Sequence, residues 1–157
     1  MPENKSGNKF DDLQLVTFYL DKEEFGIDIL EVKEIIRKMR FTKIPNSPHF
    51  VLGLINLRGV LTPVMDLRIL LNIEPKELDS NSRIIIVELN ETTIGFVVDS
   101  VNEVIRITQE QETVAGEIPK GIDNKFISSV FKVNERLLIY LNLEEIVINE
   151  LFNTEMS

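Results

Sequence analysis

The sequence predicts a mostly β protein: two similar small barrels, about five strands each, packed on a shared apolar seam. Three observations carry that prediction. First, the chain echoes itself. Residues 16–37 lie on 85–106 at a constant shift of 69, with Leu20 on Leu89, Gly26 on Gly95, Val32 on Val101, Glu34 on Glu103, Ile36 on Ile105 and Arg37 on Arg106. Second, residues 50–71 lie on 126–147 at a shift of 76, with Phe50 on Phe126, Leu61 on Leu137, Leu67 on Leu143 and Asp66 on Asn142. Third, apolar residues come in short runs bounded by turn-forming residues, the pattern of many short strands. Each repeat is small for an independent core, so the two are expected to pack on one another.

Taken in order, residues 1–12 are polar and read as a disordered tail. Residues 13–157 read as one domain, with subdomain 1 at about 13–73 and subdomain 2 at about 82–152. Residues 13–20 are an almost unbroken β-favouring apolar run, and 21–24 turn the chain into a return strand at 25–27. Ile29, Val32, Ile35 and Ile36 are spaced near helical period. That spacing predicts a short helix or irregular turn, with Glu31 and Glu34 on its exposed side. Pro45 and Pro48 bracket a loop.

Residues 53–68 predict two buried strands bent around Gly59, where a turn favours a residue without Cβ. Pro63 has no amide proton, so its strand needs an edge or bulge there. A short helical turn at 67–71 and an acidic linker at 74–81 follow. Ile84-Ile85-Ile86-Val87 opens the second unit, and 94–98 returns the chain. The looser stretch 107–125 absorbs the seven-residue difference between the two shifts. A last hairpin at 126–141 leads into a C-terminal helix at 143–152.

Composition removes several function classes. The 157 residues contain no cysteine, which excludes disulfides, thiolate metal sites and a thiol nucleophile. No apolar run approaches a membrane span, and the start of the chain lacks a signal-peptide core, so a cytoplasmic location is expected. The net charge of −9 is uneven: residues 35–65 hold no acids and five bases, Arg37, Lys38, Arg40, Lys43 and Arg58. A basic segment in an acidic protein can face an acidic partner; Lys38, Arg40 and Lys43 read individually as solvated loop charges.

The inventory offers no catalytic group, metal site or cofactor cradle. His49 is the single histidine and sits in a polar loop. No glycine loop opens a helix after a strand, and Asp66 and Arg68 read as structural. Nucleic-acid binding needs aromatics interleaved with bases, and an acidic protein repels phosphate. A ligand-holding barrel needs an interior that units this short fill with their own side chains. An interaction module remains. Arg58 stands alone between apolar runs and falls on Asn134 in the echo, while Gly59 falls on Glu135. That asymmetry points to a function held by the first unit.

Phe25-Gly26-Ile27-Asp28-Ile29, Ile44-Pro45, Gly53, Asn56-Leu57-Arg58-Gly59, Pro63-Val64-Met65-Asp66-Leu67-Arg68 and Gly95-Phe96-Val97-Val98-Asp99 together resemble the CheW family of chemotaxis coupling proteins. The resemblance runs over about 13–152. Asn142 stands where the family often has Asp. The resemblance implies paired SH3-like five-stranded barrels with terminal strands exchanged between subdomains. It implies a non-enzymatic adaptor with two partners: a CheA-type histidine kinase, through its regulatory domain, and the cytoplasmic tip of a methyl-accepting chemoreceptor. No nucleic acid and no direct membrane contact is implied, and the location is cytoplasmic, recruited to membrane receptor arrays. The chain as read looks like a simple coupler, with neither the receiver domain of the CheV type nor a kinase domain. Carried over by position, the receptor groove involves Ile29, Glu34, Ile35, Arg58, Leu61, Ile84, Ile94, Val98 and Val101. Val32 and Gly53 match kinase-coupling positions.

Overall fold

The computed structural model describes residues 12–37, 40–113 and 119–156, with side chains as far as 150. The expected disordered tail, Asp12 apart, and Lys38 lie outside the described residues. Among the described residues are eleven strands: β1 Gln14–Leu20, β2 Glu23–Asp28, β3 Val32–Arg37, β4 Val51–Leu57, β5 Val60–Asp66, β6 Arg83–Leu89, β7 Thr92–Val98, β8 Ser100–Arg106, β9 Glu112–Thr113, β10 Ile127–Val133 and β11 Arg136–Leu141. Helix α1 spans Leu67–Leu70 and α2 spans Leu143–Met156.

Two sheets result. One, ordered β8-β1-β2-β11-β10-β9, draws on both ends of the chain and is called the split barrel. The other, ordered β3-β6-β7-β5-β4, is continuous in sequence and is called the continuous barrel. Sheet membership cuts across the two sequence repeats. Strands β1 and β2 pair with β8 and β11, while β6 and β7 pair with β3 and β5. The repeat survives the exchange. Parallel pairing of Tyr140 with Gly26 in one sheet has its counterpart in Val64 with Gly95 in the other. A Cβ on Gly26 would meet Leu15 at 3.0 Å, and one on Gly95 would meet Ile84 at 2.9 Å. Leu15 and Ile84 are themselves repeat counterparts. Each sheet also closes alike: Thr42 bridges Leu54, and Thr113 pairs with Val130.

Burial follows from this arrangement. In β6, Ile84 and Ile86 face the interior of the continuous barrel, with Ile55, Val64 and Val97. Ile85 and Val87 face the seam, with Val16, Phe18, Phe25 and Phe96. The split barrel has its own interior of Leu15, Ile107, Phe131, Val133 and Leu138. A strand buried on both faces has no polar alternation, which is why 84–87 is a continuous apolar run. Both helices start from repeat-equivalent caps. Asp66 accepts from Arg68 N–H at 3.0 Å and Asn142 accepts from Glu145 N–H at 3.0 Å, so the amide replaces the carboxylate at the helix start.

One expectation is corrected. The helical spacing of 29–36 yields a single 3-10 turn, Ile29–Glu31, and then strand β3. Asp28 caps that turn by accepting from Leu30 N–H at 3.0 Å. Beyond it, Val32, Ile35 and Ile36 are β-branched, and the edge of β6 offers a full ladder, so sheet pairing overrides the local period.

Arg68, 4% exposed, latches the two barrels. Its Nε donates to Asp99 Oδ1 at 2.8 Å, Nη2 also reaches Asp21 on the β1–β2 turn, and Nη1 donates to the Glu74 carbonyl. Asp99 also accepts from Asp21 N–H at 2.8 Å. Burial raises the Asp99 carboxyl, but the hydrogen bonds from Arg68 and Asp21 outweigh it and hold the group below its usual range. Arg68→Ala is expected to cost up to roughly 3–5 kcal/mol, because it leaves a largely buried carboxylate with only the Asp21 N–H and the more distant Lys76. A denaturant melt measures it, and a loss below about 1 kcal/mol rejects the latch.

Candidate functional site

The open edge of the seam is the candidate site. The 3-10 turn Ile29–Glu31 touches both β1 and β6, which belong to different sheets. The strands outside them, β8 and β3, therefore border the same open edge. Ile35 pairs with Ile85 and Val104 pairs with Val16, so both point to the seam side. Being on edge strands, they stay exposed, Ile35 at 39% and Val104 at 50%. Ile29, Val32 and Val101 are half-buried and pack against the seam core. Two apolar strips thus flank the edge, one on β3 and one on β8.

Of the sequence-predicted residues, Ile29, Ile35 and Val101 lie on these strips, as does the kinase-coupling candidate Val32. Ile84 and Val98 have no exposed surface and Ile94 has 3%. These three are core residues and do not line the seam edge, because their strands are covered on both faces. Ile94 also contributes to a different feature, an apolar cleft of about 280 Å³ between Pro63, Met65, Leu89, Val147 and Ile148.

Arg58 and Gly59 form the two-residue turn between β4 and β5, with φ of +50° and +89°. Asn56 Oδ1 accepts from Gly59 N–H at 2.8 Å and stabilises the turn. The Arg58 side chain points out, 75% exposed, and pairs with Glu34 on β3, its one partner among the described residues. Leu61, 65% exposed, follows on the same hairpin. Val60, missed by the sequence reading, is 57% exposed and lines a recess of about 150 Å³ with Lys33, Glu34, Arg58 and Thr93.

Gly53 is buried. A Cβ there would come within 2.7 Å of the Thr42 carbonyl oxygen, at a φ of +152°. The glycine lets the 41–43 segment cross β4 and close the barrel.

At the matching place in the split barrel stands a hydrogen-bonded ion cluster. Glu24, 4% exposed, accepts from Arg136 at 3.0 and 2.8 Å and from Asn102 at 2.9 Å. Arg136 also reaches Glu103 at 2.8 Å. Burial raises the Glu24 carboxyl, but the hydrogen bonds from Arg136 and Asn102 prevail and lower it. Thr93 is the repeat counterpart of Glu24, and Val60 that of Arg136. Val104 is the counterpart of Ile35, so the 69-residue shift held the signal for it.

Among the described residues no group of three His, Cys, Asp or Glu could hold a metal ion. No described helix is long and apolar enough to cross a membrane. Arg40 and Lys43 are exposed, as expected of solvated charges, and His49 is exposed with an edge contact to Phe50.

Comparison with known proteins gives a consistent result. The CheW-like domain family matches residues 14–150. The chain is 34% identical to the chemotaxis protein CheW of Klebsiella aerogenes over 137 residues, covering 87% of this chain and 82% of that one. It is 32% identical to CheW of Helicobacter pylori over 151 residues, covering 92% and 90%. The fold matches the crystal structure of the scaffolding protein TtCheW from Thermoanaerobacter tengcongensis with a TM-score of 0.76 and 35% identity, covering 83% and 89%.

Beside the strips, burial pushes the Glu31 carboxyl up to about 7, and the charges of Asp28 and Glu144 add to it. A carboxyl raised on folding favours the native state most at low pH and loses that advantage as pH rises through its folded value. Stability is therefore expected to fall between pH 4.5 and about 7. Glu31→Gln should remove that slope and stabilise the protein at pH 8 by roughly 1 kcal/mol after solvent screening. Melts of both proteins across pH check this; parallel curves reject it.

Proposed function

Because the chain belongs to the CheW family of non-enzymatic chemotaxis adaptors, we propose that it couples a CheA-type histidine kinase to the cytoplasmic tips of chemoreceptors. The observation that supports this best is the open seam edge, with aliphatic strips on both sides and an exposed guanidinium beside one. Such an edge suits an amphipathic helix, whose aliphatic residues fill the strip while a charge fixes its register. Ile29, Ile35, Leu61 and Val101 are the proposed receptor contacts, with Arg58 and Glu34 as the polar pair. Ile84, Ile94 and Val98 support this surface from the core.

Val32 and Gly53 are the proposed kinase-coupling positions. Gly53 would act through the 41–43 segment, which a side chain would displace. The protein would work in the cytoplasm at membrane receptor arrays, without contacting the membrane itself.

The experiment is a pull-down with a chemoreceptor signalling fragment, with and without kinase, on Arg58 and Gly53 variants. Arg58→Asn is the cleaner substitution, since Asn134 holds the equivalent turn at a φ of +57°. An exposed ion pair contributes little, so its stability should stay within roughly 1 kcal/mol of the parent. Receptor affinity should fall by roughly 1.5–3 kcal/mol, the range for a lost hydrogen bond to a charged group. Kinase affinity should hold. Normal receptor binding by a folded Arg58→Asn rejects the assignment.

Gly53→Ala should do the reverse, weakening kinase activation while receptor affinity is retained. The parent should change kinase output in proportion to its amount and turn over no phosphate compound alone. Hydrolysis of ATP by the purified chain counts against the adaptor reading.

A further inference from the structure

The two strips are copies of one another. Val32 and Ile35 fall on Val101 and Val104 under the 69-residue shift, while Ile29, at the end of its strip, falls on the buried Val98. The same operation carries β3, paired with β6, onto β8, paired with β1. A two-fold relation of this kind maps a helix lying along the edge onto the same helix running backwards. The aliphatic contacts alone therefore discriminate weakly between the two directions.

The charges break the symmetry. Next to each strip, on the opposite face of the same edge strand, stands a glutamate, Glu34 on β3 and Glu103 on β8, and each glutamate has an arginine partner. Arg58 is 75% exposed and holds one partner among the described residues, so most of its five donors are uncommitted there. Arg136 is 33% exposed and is clamped by two bonds to the buried Glu24 as well as by Glu103.

We propose that the Glu24–Arg136 clamp makes the groove directional: it withholds one guanidinium, so that a partner helix with an acidic residue at one end docks with that end toward Arg58. This rests on the receptor-groove reading above and deepens it by giving the partner a polarity.

The chain lacks cysteine, so single cysteines can be placed cleanly. Arg37 and Arg106 are repeat counterparts, two residues beyond Ile35 and Val104, and so lie on the same faces of their strands. Arg37→Cys and Arg106→Cys would each be oxidised with a chemoreceptor tip fragment carrying one cysteine at one end of its apolar stripe. In the otherwise unchanged protein, one position should cross-link at least tenfold more than the other. Glu24→Thr, which installs the counterpart residue, frees Arg136 and should bring the two yields within threefold. Glu24→Thr with Arg58→Asn should reverse the preference.

If Glu24→Thr fails to fold, Glu24→Gln weakens the clamp while keeping an acceptor for Asn102, and the same convergence of yields is expected. Unchanged preference in a folded, fragment-binding Glu24 variant overturns the proposal, as do equal yields in the parent. Failure of the fragment to bind the parent at all overturns the receptor-groove reading itself, and is seen before any cross-linking.

Discussion

Phe18, Phe25, Ile85, Val87 and Phe96 meet in the seam between the two sheets with at most 1% of their surface exposed. The strands that bring them there turn their other faces into the barrel interiors. Those interiors are small, so the seam carries most of the apolar burial, and neither sheet is expected to hold its shape without the other. The other features follow from keeping that seam closed. The glycines at 26 and 95 let strands approach at the parallel junctions. Arg68 ties the β1–β2 turn to the β7–β8 junction. The edge strands β3 and β8 are left half covered, because the seam ends there.

Much of this was legible in the residues. The two constant shifts marked β1 with β6, β2 with β7, β4 with β10 and β5 with β11, and the seven-residue difference fell where β9 and its loop lie. The run Ile84-Ile85-Ile86-Val87 announced a strand covered on both faces. That same cover explains what was misread at the site. Ile84, Ile94 and Val98 are aliphatic in the way a docking surface is, and one-dimensional pattern does not distinguish an aliphatic residue under a second sheet from one at its margin. The helical spacing of 29–36 misled for a related reason: a strand that pairs along one edge and meets a seam on one face can imitate the period of a helix.

The arginines were harder. Arg58, Arg68 and Arg136 are alike in composition, yet one is 75% exposed, one is 4% exposed with a carboxylate on each side, and one is clamped between strands. Their partners lie 24, 31 and 112 residues away. Only the fold brings those pairs together. The echo did flag Arg58, since Asn134 occupies its place.

The exchange of strands has a consequence for the halves of the chain. A single repeat would supply two strands to one sheet and three to another, and so could complete neither alone. Two copies of it, however, would complete each other, each lending its first hairpin to its neighbour. The chain is thus arranged as two exchanged half-length units joined by one covalent link. The segment between Leu71 and Arg83 then works as a tether. It raises the concentration at which each half meets the other to roughly millimolar or more, and converts an association between molecules into a step within one.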